Sequence, residues 1–204
     1  MTRRSIVVVS AGLGQPSSTR LLAERLAAAS SDALLEQGRE AEDRFVDLRD
    51  HAHALADTLL TGFATGGLRE ALDALYAADG VIAVTPVFQA SFSGLFKTFF
   101  DVLDDGALKG MPVLLAATAG TARHSLVLEH ALRPMFAYLK ASSVPTAVFA
   151  ASEDWGSTTG DQDLAGRIEV AAEELAAMVA GTPGRVVTDP FADPVPFERL
   201  LSGG

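Results

Sequence analysis

Apolar residues gather in short, nearly unbroken runs at 5–10, 80–85, 112–118 and 144–150 rather than alternating with polar ones. Such runs are the pattern of strands buried on both faces, as in a parallel sheet. Residues 42–48 are more polar and read as an edge strand. Between the runs, apolar positions recur at helical spacing. Residues 18–37 carry Leu21, Leu22, Leu26, Ala29 and Leu34 and are closed by Gly38. Residues 68–78 repeat the pattern, and 94–103, 125–140 and 164–179 complete the set. Strand then helix, five times over, predicts an α/β fold with a doubly wound, five-stranded parallel sheet. Residues 1–181 are expected to form one domain without internal repeats. Past Gly181, Pro183, Pro190, Pro194 and Pro196 mark 182–204 as a Pro-rich C-terminal tail, with 195–201 suited to a short docking helix.

Composition narrows the chemistry. Of 204 residues, 49% are hydrophobic, enough for one sizeable core, and 21% are charged. The net charge of −10 opposes broad contact with nucleic acid or an anionic membrane surface. It leaves open a small anionic ligand held at a helix N-terminus. With no cysteine, disulfides, cysteine-bound clusters and thiol catalysis are excluded, so redox chemistry would come from a cofactor. The apolar run behind Arg3 and Arg4 is too short for a secretory leader. No segment reaches the roughly 20 apolar residues of a membrane span. A soluble, cytoplasmic protein is expected, with no metal centre.

In an open parallel sheet, ligands bind beyond the carboxyl ends of the strands, where the winding reverses. Three loops fall there. The first, SAGLGQPSST over 10–19, combines glycines at 12 and 14 with hydroxyls at Ser10, Ser17, Ser18 and Thr19. Free amides of the first helical turn, hydroxyls and the positive helix end suit a phosphate monoester. Simple capping by Ser17 or Ser18 is the plainer alternative. A dinucleotide fingerprint is disfavoured, because Ser17 replaces the third glycine and Pro16 disturbs the turn. The second loop, 85–94, places Phe88 and Phe92 where the chain leaves the sheet. They suit a flat ring, or pack beneath the next helix. The third, 117–121, exposes backbone and hydroxyls with little bulk, followed by Arg123 and His124, a cationic edge or plain surface.

The stretches TPVFQASFSGLFKTFFD (85–101) and ATAGTARHSLVLEHALRP (117–134), with PSST at 16–19, resemble the NADPH-dependent FMN reductase family. The likeness is nearest to the flavin reductases of two-component alkanesulfonate monooxygenase systems. It implies a flavodoxin-like sheet of order 2-1-3-4-5 and a homodimer or homotetramer. Carried over by position, Ser10, Ser17, Ser18 and Thr19 would hold the FMN phosphate. Pro86, Val87, Phe88 and Gln89 would line the isoalloxazine, with Thr118, Ala119, Gly120 and Thr121 on its other edge. Some members carry a Tyr on a π-type bulge of the fourth helix at a subunit interface. This sequence has His130 there, and Gln15 where the family often has an Arg.

The resemblance implies hydride transfer from NAD(P)H to FMN, with reduced flavin passed to a partner monooxygenase. No catalytic side chain is required, since the cofactors carry the chemistry. A quinone or azo-compound reductase on the same fold, and a flavodoxin-type electron carrier, are the rival readings. The loop over 85–94 speaks against the carrier.

Overall fold

The computed structural model describes residues 2–155 and 158–184. Its first strand, β1 (Thr2–Ser10), shows why the apolar runs are continuous. Ile6 and Val8 pack on one side of the sheet, Val7 and Val9 on the other, and all four are fully buried. A pleated strand sends successive side chains to opposite faces, so burial on both faces demands apolar residues without interruption. The same holds for β3 (Gly80–Phe88) and β5 (Pro112–Ala119).

The strands pair in parallel in the order β2 (Arg39–Asp47), β1, β3, β5, then β6 (Ser142–Ser143). β7 (Val148–Ala151) also pairs with β5, and β4 (Ser91–Phe92) folds back antiparallel on β3. α1 (Ser18–Glu36) and α6 (Thr158–Gly181) cover one face. The other is covered by α2 (Ala52–Thr61), α3 (Gly66–Ala77), α4 (Gly94–Asp101) and α5 (Arg133–Tyr138). With β6 and β7 counted as one interrupted strand, the order is 2-1-3-4-5, the flavodoxin-like winding.

Four features depart from the sequence expectation. The sheet holds seven strand segments, not five. Of the expected fifth strand over 144–150 only 148–150 are strand, and β6 stops at Ser143, ahead of Pro145, which has no N–H for the ladder. Arg133 instead takes the carbonyls of Val144 (3.1 Å) and Pro145 (2.9 Å). The Thr146 N–H and hydroxyl both donate to Glu174 of α6, at 2.7 and 3.0 Å. α2 was not expected, since it buries only Leu55 and Thr58 and so leaves little periodic signal.

The single helix expected over 125–140 is broken. A 3-10 turn at Ala122–His124 and a π turn at Leu128–Leu132 precede α5. Pro134 lacks the N–H that an α-helix would donate to the His130 carbonyl, and the chain takes the wider turn ahead of it. A π-type bulge, which some members of the family carry with a Tyr, is therefore present here with His130 on it. Finally, α6 begins at Thr158, well before residue 164. Apart from 182–184, the Pro-rich stretch and the docking helix expected at 195–201 lie outside the described residues.

The amino end of the sheet is closed by a buried ion pair. Arg4 donates to Asp79 (3.0 Å) and to the Thr182 carbonyl (2.9 Å), while Asp79 also accepts from the Ser5 N–H (2.9 Å). The two side chains are 8% and 13% exposed, so removing one partner strands the other away from water. Arg4→Ala is expected to lower unfolding free energy by about 3 kcal/mol. Urea denaturation followed by circular dichroism measures it, and an unchanged midpoint would contradict this assignment.

Candidate active site

The winding reverses between β1 and β3, and strand register brings the three loops side by side at that edge. Ser10 is opposite Val84, and Pro86 is opposite Thr118. The Ala11 N–H continues the ladder to the Val84 carbonyl at 3.0 Å.

The first loop is built closely. Ser17 is the N-cap of α1: its backbone is extended and its hydroxyl accepts from the Arg20 N–H at 3.2 Å. The turn ahead of it carries a cis Gln15–Pro16 bond. Helix geometry leaves the amides of Ser18 and Thr19 without an intrahelical acceptor. Gly12 is required by close approach, since a Cβ there would stand 2.0 Å from the Ser17 hydroxyl and 3.1 Å from the Thr19 Cβ. Ser10 follows Ile6 and Val8 on the face that α1 covers, and its hydroxyl is fully buried with no hydrogen-bond partner. A buried hydroxyl without a partner costs free energy unless a ligand supplies one. A partnerless hydroxyl, free amides and a capping serine packed against a glycine together fit a phosphate ester.

Thr19 has another engagement. Its hydroxyl is buried against that of Thr118 at 2.7 Å, tying the first turn of α1 to the end of β5. Ser18 is exposed at the rim. The second loop turns through Gln89 (φ 48°) and Ala90 (φ 65°) in the left-handed region, which lets β4 return along β3. Pro86 and Val87 are half-buried, Phe88 is 45% exposed, and Gln89 is exposed. Phe92 packs on α4, its ring 6.1 Å from that of Phe96. The hydroxyl of Thr85 accepts from the Ser93 N–H (3.0 Å), and that of Ser93 caps α4 by accepting from the Phe96 N–H (3.1 Å). In the third loop, Ala119 and Thr121 are half-buried and Gly120 is exposed. Arg123 and His124 stand exposed on the 3-10 turn.

Ser10, Ser17, Thr19 and Thr118 are thus brought together, with Pro86–Gln89 and Ala119–Thr121 forming a rim. Arg20 is not free to meet a ligand. It pairs with Asp47 (2.6 Å) and Glu24 (2.8 Å), and its guanidinium lies 4.1 Å from the centre of the Phe45 ring. Asp154 accepts from the Ala151 N–H (2.7 Å) and pairs with Arg167 (3.1 Å). Trp155 packs on the α1/α6 core with Arg25 against its ring.

A pocket of about 200 Å³ opens beside the first loop, walled by that loop and by Arg20, Asp47, Arg49 and Asp50. The contribution of the residues after β2 was not read from the sequence, because nothing in their spacing ties them to the first loop. A larger cleft of about 460 Å³ lies at the opposite end of β5, between Asp104–Leu108 and Tyr138–Lys140.

Residues 4–156 match the family model of the NADPH-dependent FMN reductases. The chain belongs to that family. It is 38% identical over 177 residues to an FMN reductase (NADPH) of Pseudomonas aeruginosa, covering 86% of this chain and 92% of that one. An oxidoreductase from Corynebacterium diphtheriae superposes with a TM-score of 0.86 at 45% identity, covering 90% of this chain and all of that one. The apo form of the NADH:FMN oxidoreductase EMOB superposes at 0.74 with 29% identity, covering 88% and 92%. Both nicotinamide coenzymes thus occur in the names of this family member's relatives. The fold and the family resemblance read from the sequence are borne out. Among the described residues, no helix is long and apolar enough to cross a membrane.

The contact between Thr19 and Thr118 yields a direct test. Thr118→Val leaves the Thr19 hydroxyl buried without a partner, an expected loss of about 1–3 kcal/mol in unfolding free energy. The double variant Thr19→Val/Thr118→Val is expected to recover most of that loss, since neither hydroxyl then remains. Equal losses in the single and double variants, measured by urea denaturation, would contradict the coupling.

Proposed function

We propose that this protein reduces FMN with NAD(P)H at the edge of the sheet formed by the ends of β1, β3 and β5. The observation that carries the reading is the loop at the mouth of α1, which holds a buried, partnerless Ser10 hydroxyl, a cap at Ser17 and the close approach of Ser17 to Gly12. Here Ser10, Ser17 and Ser18, with the Ser18 and Thr19 amides, bind the flavin phosphate. Thr19 acts with Thr118 to hold that turn against β5. Pro86, Val87, Phe88 and Gln89 line one side of the ring, and Ala119, Gly120 and Thr121 the other.

When bound, the nicotinamide and flavin supply the hydride donor and acceptor themselves. The chain's part is to bind, orient and polarise. Backbone N–H groups of the second and third loops face the polar edge of the ring, where negative charge grows on reduction. The half-buried Pro86 and Val87 keep water from one side. The family's resemblance to reductases of two-component systems supports a further step, in which reduced FMN leaves for a separate monooxygenase. It supports equally a homodimer or homotetramer, with His130 on the π turn near the interface.

Anaerobic mixing of the FMN-loaded protein with NADH or NADPH tests the reaction. The visible absorbance of the flavin is expected to bleach at least as fast as turnover. If it persists with both coenzymes, the reading is wrong. Gly12→Ala is expected to weaken FMN binding roughly tenfold with the fold retained, because the methyl group displaces the Ser17 hydroxyl. Calorimetric titration checks this, and undiminished affinity would place the phosphate elsewhere.

A further inference from the structure

We propose that Arg49 supplies the positive charge that holds the phosphate ester at the mouth of α1. This inference rests on the reading just given, in which that mouth takes the phosphate of FMN. A phosphate monoester carries about −1.5 to −2 charge at pH 7. Residues 10–19 contain no lysine, arginine or histidine to meet it, and the whole chain is at −10. Hydroxyls and amides orient an anion but bring only dipoles.

The nearest arginine in sequence, Arg20, is consumed by Asp47, Glu24 and the Phe45 ring. Arg49 stands differently. It is exposed on the 3-10 turn Leu48–His51, directly after β2, and lines the pocket that Gly12, Gly14, Ser17 and the engaged Arg20 also line. Its backbone is anchored on the amino side: Ser10 is in register with Asp47 across β1 and β2, and Leu48 is fully buried. No carboxylate pairs with Arg49 among the described residues.

A guanidinium is always charged, and its planar fork matches two phosphate oxygens at once. Asp47, on the same wall, is neutralised by Arg20. Asp50 is the opposing charge in the pocket and reduces the attraction. The edge strand of the sheet, distant in sequence from the first loop, thus contributes the cation that the loop lacks.

A phosphate monoester also occurs as the 2′-phosphate of NADPH, so the test separates the two sources. Arg49→Gln and Asp50→Asn are compared with the wild type by titration with FMN and with riboflavin, and by steady-state kinetics with NADPH and NADH. Arg49→Gln is expected to weaken FMN roughly tenfold and leave riboflavin unchanged. Asp50→Asn is expected to tighten FMN, and added salt to weaken FMN more in the wild type than in Arg49→Gln. Thermal melting shows whether the exposed substitution leaves the fold intact. The inference is overturned if the wild type binds FMN and Arg49→Gln binds it equally well. It is overturned also if riboflavin loses as much as FMN, or if only the KM for NADPH rises. A wild type that ignores FMN overturns the functional reading and this inference with it.

Discussion

The parallel ladder β2-β1-β3-β5, buried on both faces, is the constraint from which the rest follows. Each crossover must carry a helix over one face or the other, and neighbouring strands on the two sides of β1 are reached by crossovers on opposite faces. The chain therefore parts at the carboxyl ends of β1 and β3, and no helix can fill that cleft. Everything polar in the candidate site is gathered at this opening. The ladder's register then decides which side chains meet. Ser10 and Thr118 lie on strand positions that face α1, and the first turn of α1 meets the hydroxyl of Thr118.

Two energetic conditions meet at that turn. Thr19 and Thr118 satisfy one another in the interior and fix where the helix begins. Ser10, equally buried, satisfies nothing. An apolar residue in its place would pack without penalty, so the hydroxyl is a cost borne by the apo fold. That contrast separates a residue that braces the turn from one whose hydroxyl is left without a partner. The left-handed backbone at Gln89 and Ala90 is a second local cost at the same edge, where it turns the chain back beneath the exposed Phe88.

Much of this was legible in the sequence, for identifiable reasons. Strands buried on both faces leave unbroken apolar runs, so β1, β3 and β5 and the loops that follow them could be read directly. The partners of individual hydroxyls could not. Nothing in the residues 10–19 tells Thr19, which is engaged across the sheet, from Ser10, which is not. Local chemistry misled in other places. Pro145 stands inside an apolar run, but the groups that satisfy the interrupted backbone, the donor Arg133 and the acceptor Glu174, lie on other elements. The β3–β4 hairpin carries no glycine at its tip, so it gave no turn signal. Arg20 stands next to the loop in sequence, yet Asp47, which closes β2, claims it. The wall formed by Arg49 and Asp50 depends on the register of β1 with β2, a long-range property with no local mark.

The central claim is that the mouth of α1 grips a flavin's phosphate while the ends of β3 and β5 flank its ring. A crystal structure of the FMN complex tests it most directly. The account predicts phosphate oxygens within hydrogen-bond distance of the Ser10 and Ser17 hydroxyls, with the ring between Pro86–Gln89 and Ala119–Thr121. A phosphate found at any other place, with Ser10 still lacking a partner, would contradict it.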